Sequence, residues 1–448
     1  MRRFVALAIF LLMLLTPILV SCKGVYHPPP TQRPSFEDIK AEAPVAGEFS
    51  EAYEPRKGTV LLDLSHENDF DPQEFRTLAL GILSRGYTLE HLETAGNLEE
   101  KLRFADAFVI ILPQGAFSES EGEKIKEFVE KGGKLILLGD ATRPSEINSV
   151  AAEFKLMFEK DFLYNMHQYE GNFRNIFLSE FRDNEITRGL EQVVFYGAGS
   201  ISSQYKGIIF TDDNTFSSVT ETTNGFSPVA LSEDSKVLAI ADLTFMTSPL
   251  DSVFDNNQLI SNIADWLTES RRVFVLSDFP YFFKGLIRIP YADVSLIDEA
   301  LELKDSLVNA GKEVEVNEYQ EANNKVSGEM LFIGFFPDAP KVETHLKGIS
   351  IDDKVKIEGI GELPKEATAI LCLDKSDDRH VLTVLADKED TLKDALRLLK
   401  SGGFRDWLAT DTLAIHQGPR SPTEASPEPE PEPEIPPEPE PEPKTPSE

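Results

Sequence analysis

Two uninterrupted apolar runs, Phe108 to Leu112 and Leu135 to Leu138, flank a stretch whose apolar positions fall at Ile125, Phe128 and Val129. Continuous apolar runs suit strands covered on both faces, and i, i+3, i+4 spacing suits one face of a helix. Ala107 to Asp140 therefore reads as strand, crossover helix and parallel strand. Ser118 and Glu121 have capping-box spacing at the helix start, and Gly132 with Gly133 supplies a left-handed stop.

The same two periods extend the pattern on either side. TVLLDLS from Thr59 predicts a strand, Pro72 to Ser84 an amphipathic helix with Phe75, Leu78, Ile82 and Leu83 inward, and YTLEHL a short second strand. After Asp140 a helix is expected from Ser145 to Phe154, then short strands at FLYN, NIFLSEF, QVVFYGAG and GIIF. VLAIADL (237–243) returns to a buried strand, and Gln258 to Thr268 is a helix with Leu259, Ile263 and Trp266 on one stripe. A new apolar strand is expected at RRVFVLSDF, followed by a helix from Ser295 to Ala310 and strands at KEVEVNEY, MLFIGFF, ATAILCL and HVLTVLA. The helix Thr391 to Lys400 and a last strand in WLATDTLAI complete a second α/β unit. In SDFPYFFKG, Phe279, Tyr281, Phe282 and Phe283 fit either an aromatic ligand patch or packing against the first domain.

The two ends break this pattern. Arg2 and Arg3 precede an apolar run from Phe4 to Leu15, and Leu19, Val20, Ser21 and Cys22 follow, which is a targeting segment rather than part of the fold. A small residue before Cys directly after such a core resembles the lipobox of bacterial lipoproteins. That resemblance implies that Cys22 becomes the mature N-terminus and carries lipid, with residues 1–21 removed. Residues 22–57, with prolines at 28–30, 34, 44 and 55, read as a flexible tether. At the other end PEPEPEPEIPPEPEPEPK forbids helix and repels itself, so residues 418–448 are expected to be a disordered, extended polyproline-II tail. The fold class is thus α/β: a parallel-sheet domain at 58–270, a second α/β domain at 271–417, and a Pro/Glu-rich tail.

Charge narrows the partners. The formal net charge of -33, from 44 basic and 77 acidic residues, opposes binding to phosphate backbones, so no nucleic-acid partner is expected. Cys22 and Cys372 are the only cysteines, which leaves no intramolecular disulfide framework to a chain lipidated at Cys22. Cys372, in the apolar run AILCL, reads as a small buried hydrophobe rather than a nucleophile serving His380.

Open parallel sheets place ligands beyond the carboxyl ends of their strands. There the chain gathers Asp63, His66 and Asn68 after the first strand, Gln114 after the central one, Asp140 and Arg143 after the next, and Asp242 after the last. One expectation is a small polar pocket with His66 and Arg143 on exposed loops. The other is that Asp63 and Asp140 cap helices and tie loops. SHENDFD, with Asp63, His66, Asp69 and Asp71, matches no established metal-ligand spacing, and no P-loop, GxGxxG, GxSxG or HExxH occurs, so neither metal nor cofactor is expected.

With the strands placed, LDLSHEN, ILPQGAFSESE, GGKLILLGD and DNNQLISNIADWL make residues 57 to 270 resemble the class I glutamine amidotransferase-like, flavodoxin-like fold. The resemblance is to its non-catalytic branch: uncharacterised prokaryotic membrane-associated proteins, auxiliary subunits of gliding-motility-type ABC transporters, and the N-terminal domain of an intraflagellar transport complex protein. Active members carry a Cys after the strand that here reads LILLGD and a His at a late strand end. The resemblance puts Asp140 and Asp242 at those places, which implies a pseudo-enzyme, since a carboxylate is a far weaker nucleophile than a thiolate. The expected function is a lipid-anchored, extracytoplasmic binding or scaffolding protein at the cell membrane. The alternatives are an auxiliary subunit of an ABC-type transport assembly and a hydrolase that uses the carboxylates.

Overall fold

The computed structural model describes residues 56–418 apart from 205, 221–222, 224, 321–327 and 377–378. The signal segment 1–21, Cys22, the tether up to residue 55 and the tail from 419 lie outside the described residues. Packing divides the chain at Arg271 and Arg272 into two compact units, except that Glu99–Phe104 groups with the second. Within that second unit the Phe104 ring lies 4.7 Å from Tyr281, and Arg272 donates to the Leu102 carbonyl.

In the first unit β1 (Gly58–Asp63), β2 (Tyr87–Leu92), β3 (Ala107–Ile111) and β4 (Lys134–Leu138) run parallel in the order β2-β1-β3-β4. Helices α1 (Pro72–Ser84), α2 (Leu98–Phe104) and α3 (Glu119–Glu130) make the crossovers. Every residue of β3 is buried, as its unbroken apolar run requires. Two helix starts are complete capping boxes: Asp71 with Glu74 opens α1, and Ser118 with Glu121 opens α3 as its spacing predicts. Gly132, at φ 92°, ends α3 in the left-handed region.

Beyond β4 the regularity falls away. The helix expected over 145–154 shrinks to α4 (Asn148–Ala151) and one 3-10 turn, because Glu146 N and Ser145 Oγ are bonded to the Pro113 carbonyl instead of starting a helix. Short strands follow: β5 (Leu156–Phe158), β6 (Leu163–Asn165), β7 (Asn175–Leu178), β8 (Glu180–Phe181), β9 (Val193–Tyr196), β10 (Ile201–Ser203), β11 (Lys206–Phe210) and β12 (Thr215–Ser217). Then β13 (Val229–Leu231) leads to β14 (Val237–Ile240), which pairs parallel to β4. The main sheet thus reads β2-β1-β3-β4-β14-β13-β11-β8, with antiparallel pairing from β14 outward. Helix α5 (Asn256–Thr268) buries Leu259, Ile263 and Trp266 against this core.

The second unit has its own seven-stranded sheet. Its elements are β15 (Ile287–Tyr291), α6 (Ile297–Asn309), β16 (Val314–Glu318), β17 (Glu329–Phe335), a small meander β18 (Ile349–Ile351), β19 (Lys354–Ile357) and β20 (Gly361–Pro364), then β21 (Thr368–Ser376), β22 (Arg379–Ala386), α7 (Glu389–Ser401), β23 (Leu408–Thr410) and β24 (Leu413–Gln417). No strand forms at 272–280. Leu276 N bonds the Asp411 carbonyl and Val275 N the Asp278 carboxylate, so the run is apolar because Phe274, Val275 and Leu276 are buried, not because it joins a ladder. Phe279, Phe282 and Phe283 are buried there too, which removes the aromatic ligand patch and gives these rings to the second unit's own core. WLATDTLAI is a hairpin of two strands rather than one.

Candidate functional site

Parallel strands end with their carbonyls and following loops on one edge, and each of the seven predicted polar residues lies on that edge. Asp63 closes β1 fully buried. One of its oxygens accepts from Ser65 N at 3.1 Å and Ser65 Oγ at 2.8 Å, and the other lies 3.0 Å from His66 Nδ1 and 3.2 Å from Asn68 Nδ2. Asn68 also donates to the Ile111 carbonyl at the end of β3, at 2.8 Å. The opposite edge of the imidazole, Nε2, lies 3.6 Å from Glu121 Oε1, and Phe117 stacks on the ring at 3.7 Å. His66 is therefore buried between two carboxylates, at 6% exposure, and does not stand on the exposed loop that its sequence neighbours suggest.

Burial disfavours the imidazolium, but the hydrogen bond and charge of Asp63 and then Glu121 outweigh it, so the His66 pKa is raised. Glu121 is penalised by burial as well, and its bonds to Ser118 together with the His66 charge bring its pKa below the ordinary value. A protonated imidazole flanked by acids is a cation in a slot, not a general base.

Asp140 ends β4 in a second knot. Its Oδ1 accepts from Thr142 N at 2.8 Å and from Thr142 Oγ1, and its Oδ2 from Arg143 Nη2 at 3.2 Å and Thr244 Oγ1 at 3.3 Å. Arg143 spreads both amino groups on Glu74 at 3.0 Å and reaches the Asp69 carbonyl at 3.1 Å. Its side chain is largely covered by these partners rather than free on a loop. Asp242, fully buried after β14, accepts from Tyr196 N at 2.6 Å and Thr244 N at 2.8 Å. Burial and the nearby Asp140 charge push its pKa well up. Gln114 joins the first and second knots: its side chain donates to the Pro144 carbonyl at 2.6 Å, and its backbone N–H to the His66 carbonyl at 2.9 Å.

Neither Asp63 nor Asp140 caps a helix. Asp71 and Ser118 hold those places, and the two buried aspartates close Asx-type turns. Of the four residues weighed as metal ligands, Asp71 is spent on its cap, and no group of three or more His, Cys, Asp or Glu side chains is arranged for a metal among the described residues. Glu121, Glu74, Thr142 and Thr244 complete the network, and the sequence reading misses all four as site residues. Only Glu121 carries a trace in the sequence, as the last residue of a capping box.

No family model matches the chain, and no curated protein matches it. Among solved structures the chain is similar to the mmIFT52 N-terminal domain, at 16% identity and a TM-score of 0.41 over 46% of this chain and 100% of that one. It is also similar to a ThuA-like protein from Bacteroides uniformis ATCC 8492, at 10% identity and a TM-score of 0.33 over 50% of this chain and 97% of that one. A GMP synthase protein from Thermoplasma acidophilum aligns at 12% identity and a TM-score of 0.28, over 47% of this chain and 94% of that one. The α/β class rests on this chain's own strand order.

Proposed function

We propose that this protein is a lipid-anchored, extracytoplasmic binding or scaffolding protein that performs no chemistry at its strand ends. The observation that supports this most is that the polar groups gathered there are bonded to one another. Asp140 holds Thr142, Thr244 and Arg143, and Asp63 holds Ser65, His66 and Asn68. Ser65 Oγ lies 3.1 Å from His66 Nδ1, but it donates to Asp63, and the imidazole has no free basic nitrogen to activate it. The thiol among the described residues, Cys372, belongs to the second unit, donates to the His345 carbonyl at 3.6 Å and has its pKa pushed by burial to about 11.

The test has two arms on the full-length chain. Purified protein incubated with glutamine should release no ammonia, and Asp140→Cys should release none either, because no imidazole is placed to take up the thiol proton. Glutamine hydrolysis by the wild type overturns the non-catalytic reading. Crosslinking in native membranes should capture a specific partner protein. A permease with its ATPase would assign the chain to a transport assembly, and capture of nothing above background would overturn the scaffolding reading.

A further inference from the structure

Strands β6 and β12 form a two-stranded ribbon in which Phe216 pairs with Tyr164, Thr215 with Asn165 and Ser217 with Leu163. Side chains alternate across such a ribbon, and here the alternation is inverted from what a solvent face should show. Leu163, Asn165, Thr215 and Ser217 are buried, whereas Tyr164 and Phe216 lie on the outer face, with Phe162 one alternation away from Tyr164. Tyr164 stacks on Phe216 at 5.7 Å and meets Phe162 at 6.0 Å and Phe173 at 6.1 Å. Arg174 lies over this cluster, its guanidinium carbon 4.0 Å from the Phe162 centroid and 5.7 Å from that of Phe173. Among the described residues that guanidinium makes no ion pair. A cation held on rings without a carboxylate is an anion receptor whose surroundings also favour apolar rings.

We propose that this face docks the chain's own Pro/Glu segment, residues 427–443. The segment lies outside the described residues and alternates Pro with Glu, supplying rings for the aromatic face and carboxylates for Arg174. In a polyproline-II rod every third residue shares an edge, about 9.3 Å apart. A Pro-Glu repeat of period two therefore shows proline and glutamate in turn along each edge. Aromatic-lined faces take such rods because little conformational entropy is lost on binding. Reach is not limiting: residues 421–448 span roughly 85 Å when extended, about twice the ~43 Å diameter of a compact globule of 200 residues. Tethering raises the local concentration to the order of millimolar, so a weak contact suffices.

The full-length chain with a photo-crosslinking phenylalanine in place of Phe216 tests this directly. Irradiation should yield crosslinked peptides that map to residues 427–443. The yield should fall about fivefold or more in Arg174→Ala, as loss of a charge-assisted contact of about 1 kcal/mol implies, and should fall at high salt. Changing the glutamates of 427–443 to glutamine should lower it equally while leaving the platform untouched, which separates docking from any folding defect at Arg174. Crosslinks within one chain and between two copies both support docking of this segment, and gel mobility tells them apart. Crosslinks that never reach 427–443, that go to another protein instead, or that persist undiminished in both variants overturn the proposal.

Discussion

At His66 burial and charge oppose each other, and two carboxylates decide the outcome. The imidazole stands between Asp63 and Glu121, and its pKa in the folded chain lies above the ordinary 6.5. The folded state then holds the proton to a higher pH than the unfolded state, so His66 contributes stability that is complete below about 6.5 and is lost as pH rises through the raised value. Thermal melts from pH 6 to pH 8.5 should show a decline in melting temperature that His66→Gln flattens. An identical slope in the variant would mean that the imidazole is neutral in its slot. None of this is legible from residues 65–71, because Glu121 comes to His66 only through the fold of β3 and α3. Sequence reading can place Asp63, His66, Asn68, Gln114, Asp140, Arg143 and Asp242 on one edge. It cannot tell that they consume one another's hydrogen-bonding capacity.

Elements differ in how much of their stability is local. Ser118 accepts from Glu121 N at the start of α3, and an N-cap hydroxyl contributes typically about 1 kcal/mol. Ile110, on the central strand β3 and fully buried, has no such local device, and its truncation to alanine should cost about 2 to 5 kcal/mol. Chemical denaturation should therefore rank Ile110→Ala well below Ser118→Ala in stability, and equal losses would show that β3 is less tightly packed than its burial implies. The same contrast explains what the sequence discloses. Caps, glycine stops and two-sided apolar runs are local signals, so β1 to β4, α1, α3 and α5 are predictable. The run at 272–280 looks like a strand because core packing also needs continuous apolar residues, while ladder pairing needs a free neighbouring strand. In the meander β18 to β20 the alternation is diluted by Asp352, Asp353, Gly359 and Gly361, and the pattern predicts no element there.

For the whole molecule the question is what holds it at a membrane. The chain carries a net charge of -33, so general electrostatics repel it from anionic lipid headgroups, and within a Debye length this repulsion strengthens as salt is lowered. No helix among the described residues is long and apolar enough to cross a membrane. Attachment on the proposed reading then falls to lipid on Cys22. A single acyl chain gives only marginal binding, so stable anchoring calls for the multiple acyl chains of a lipoprotein-type modification. Metabolic labelling with a fatty acid should mark the wild type and leave Cys22→Ser unmarked. After fractionation the variant should also partition away from membranes at low as well as high salt, because no basic surface is present in excess to hold it. Equal label in both chains would place the lipid elsewhere. A Cys22→Ser protein that stays on the membrane at low salt and leaves it at high salt would show that a local basic face overrides the net charge. Retention at every salt would point instead to the apolar run Phe4–Leu15 as an uncleaved anchor.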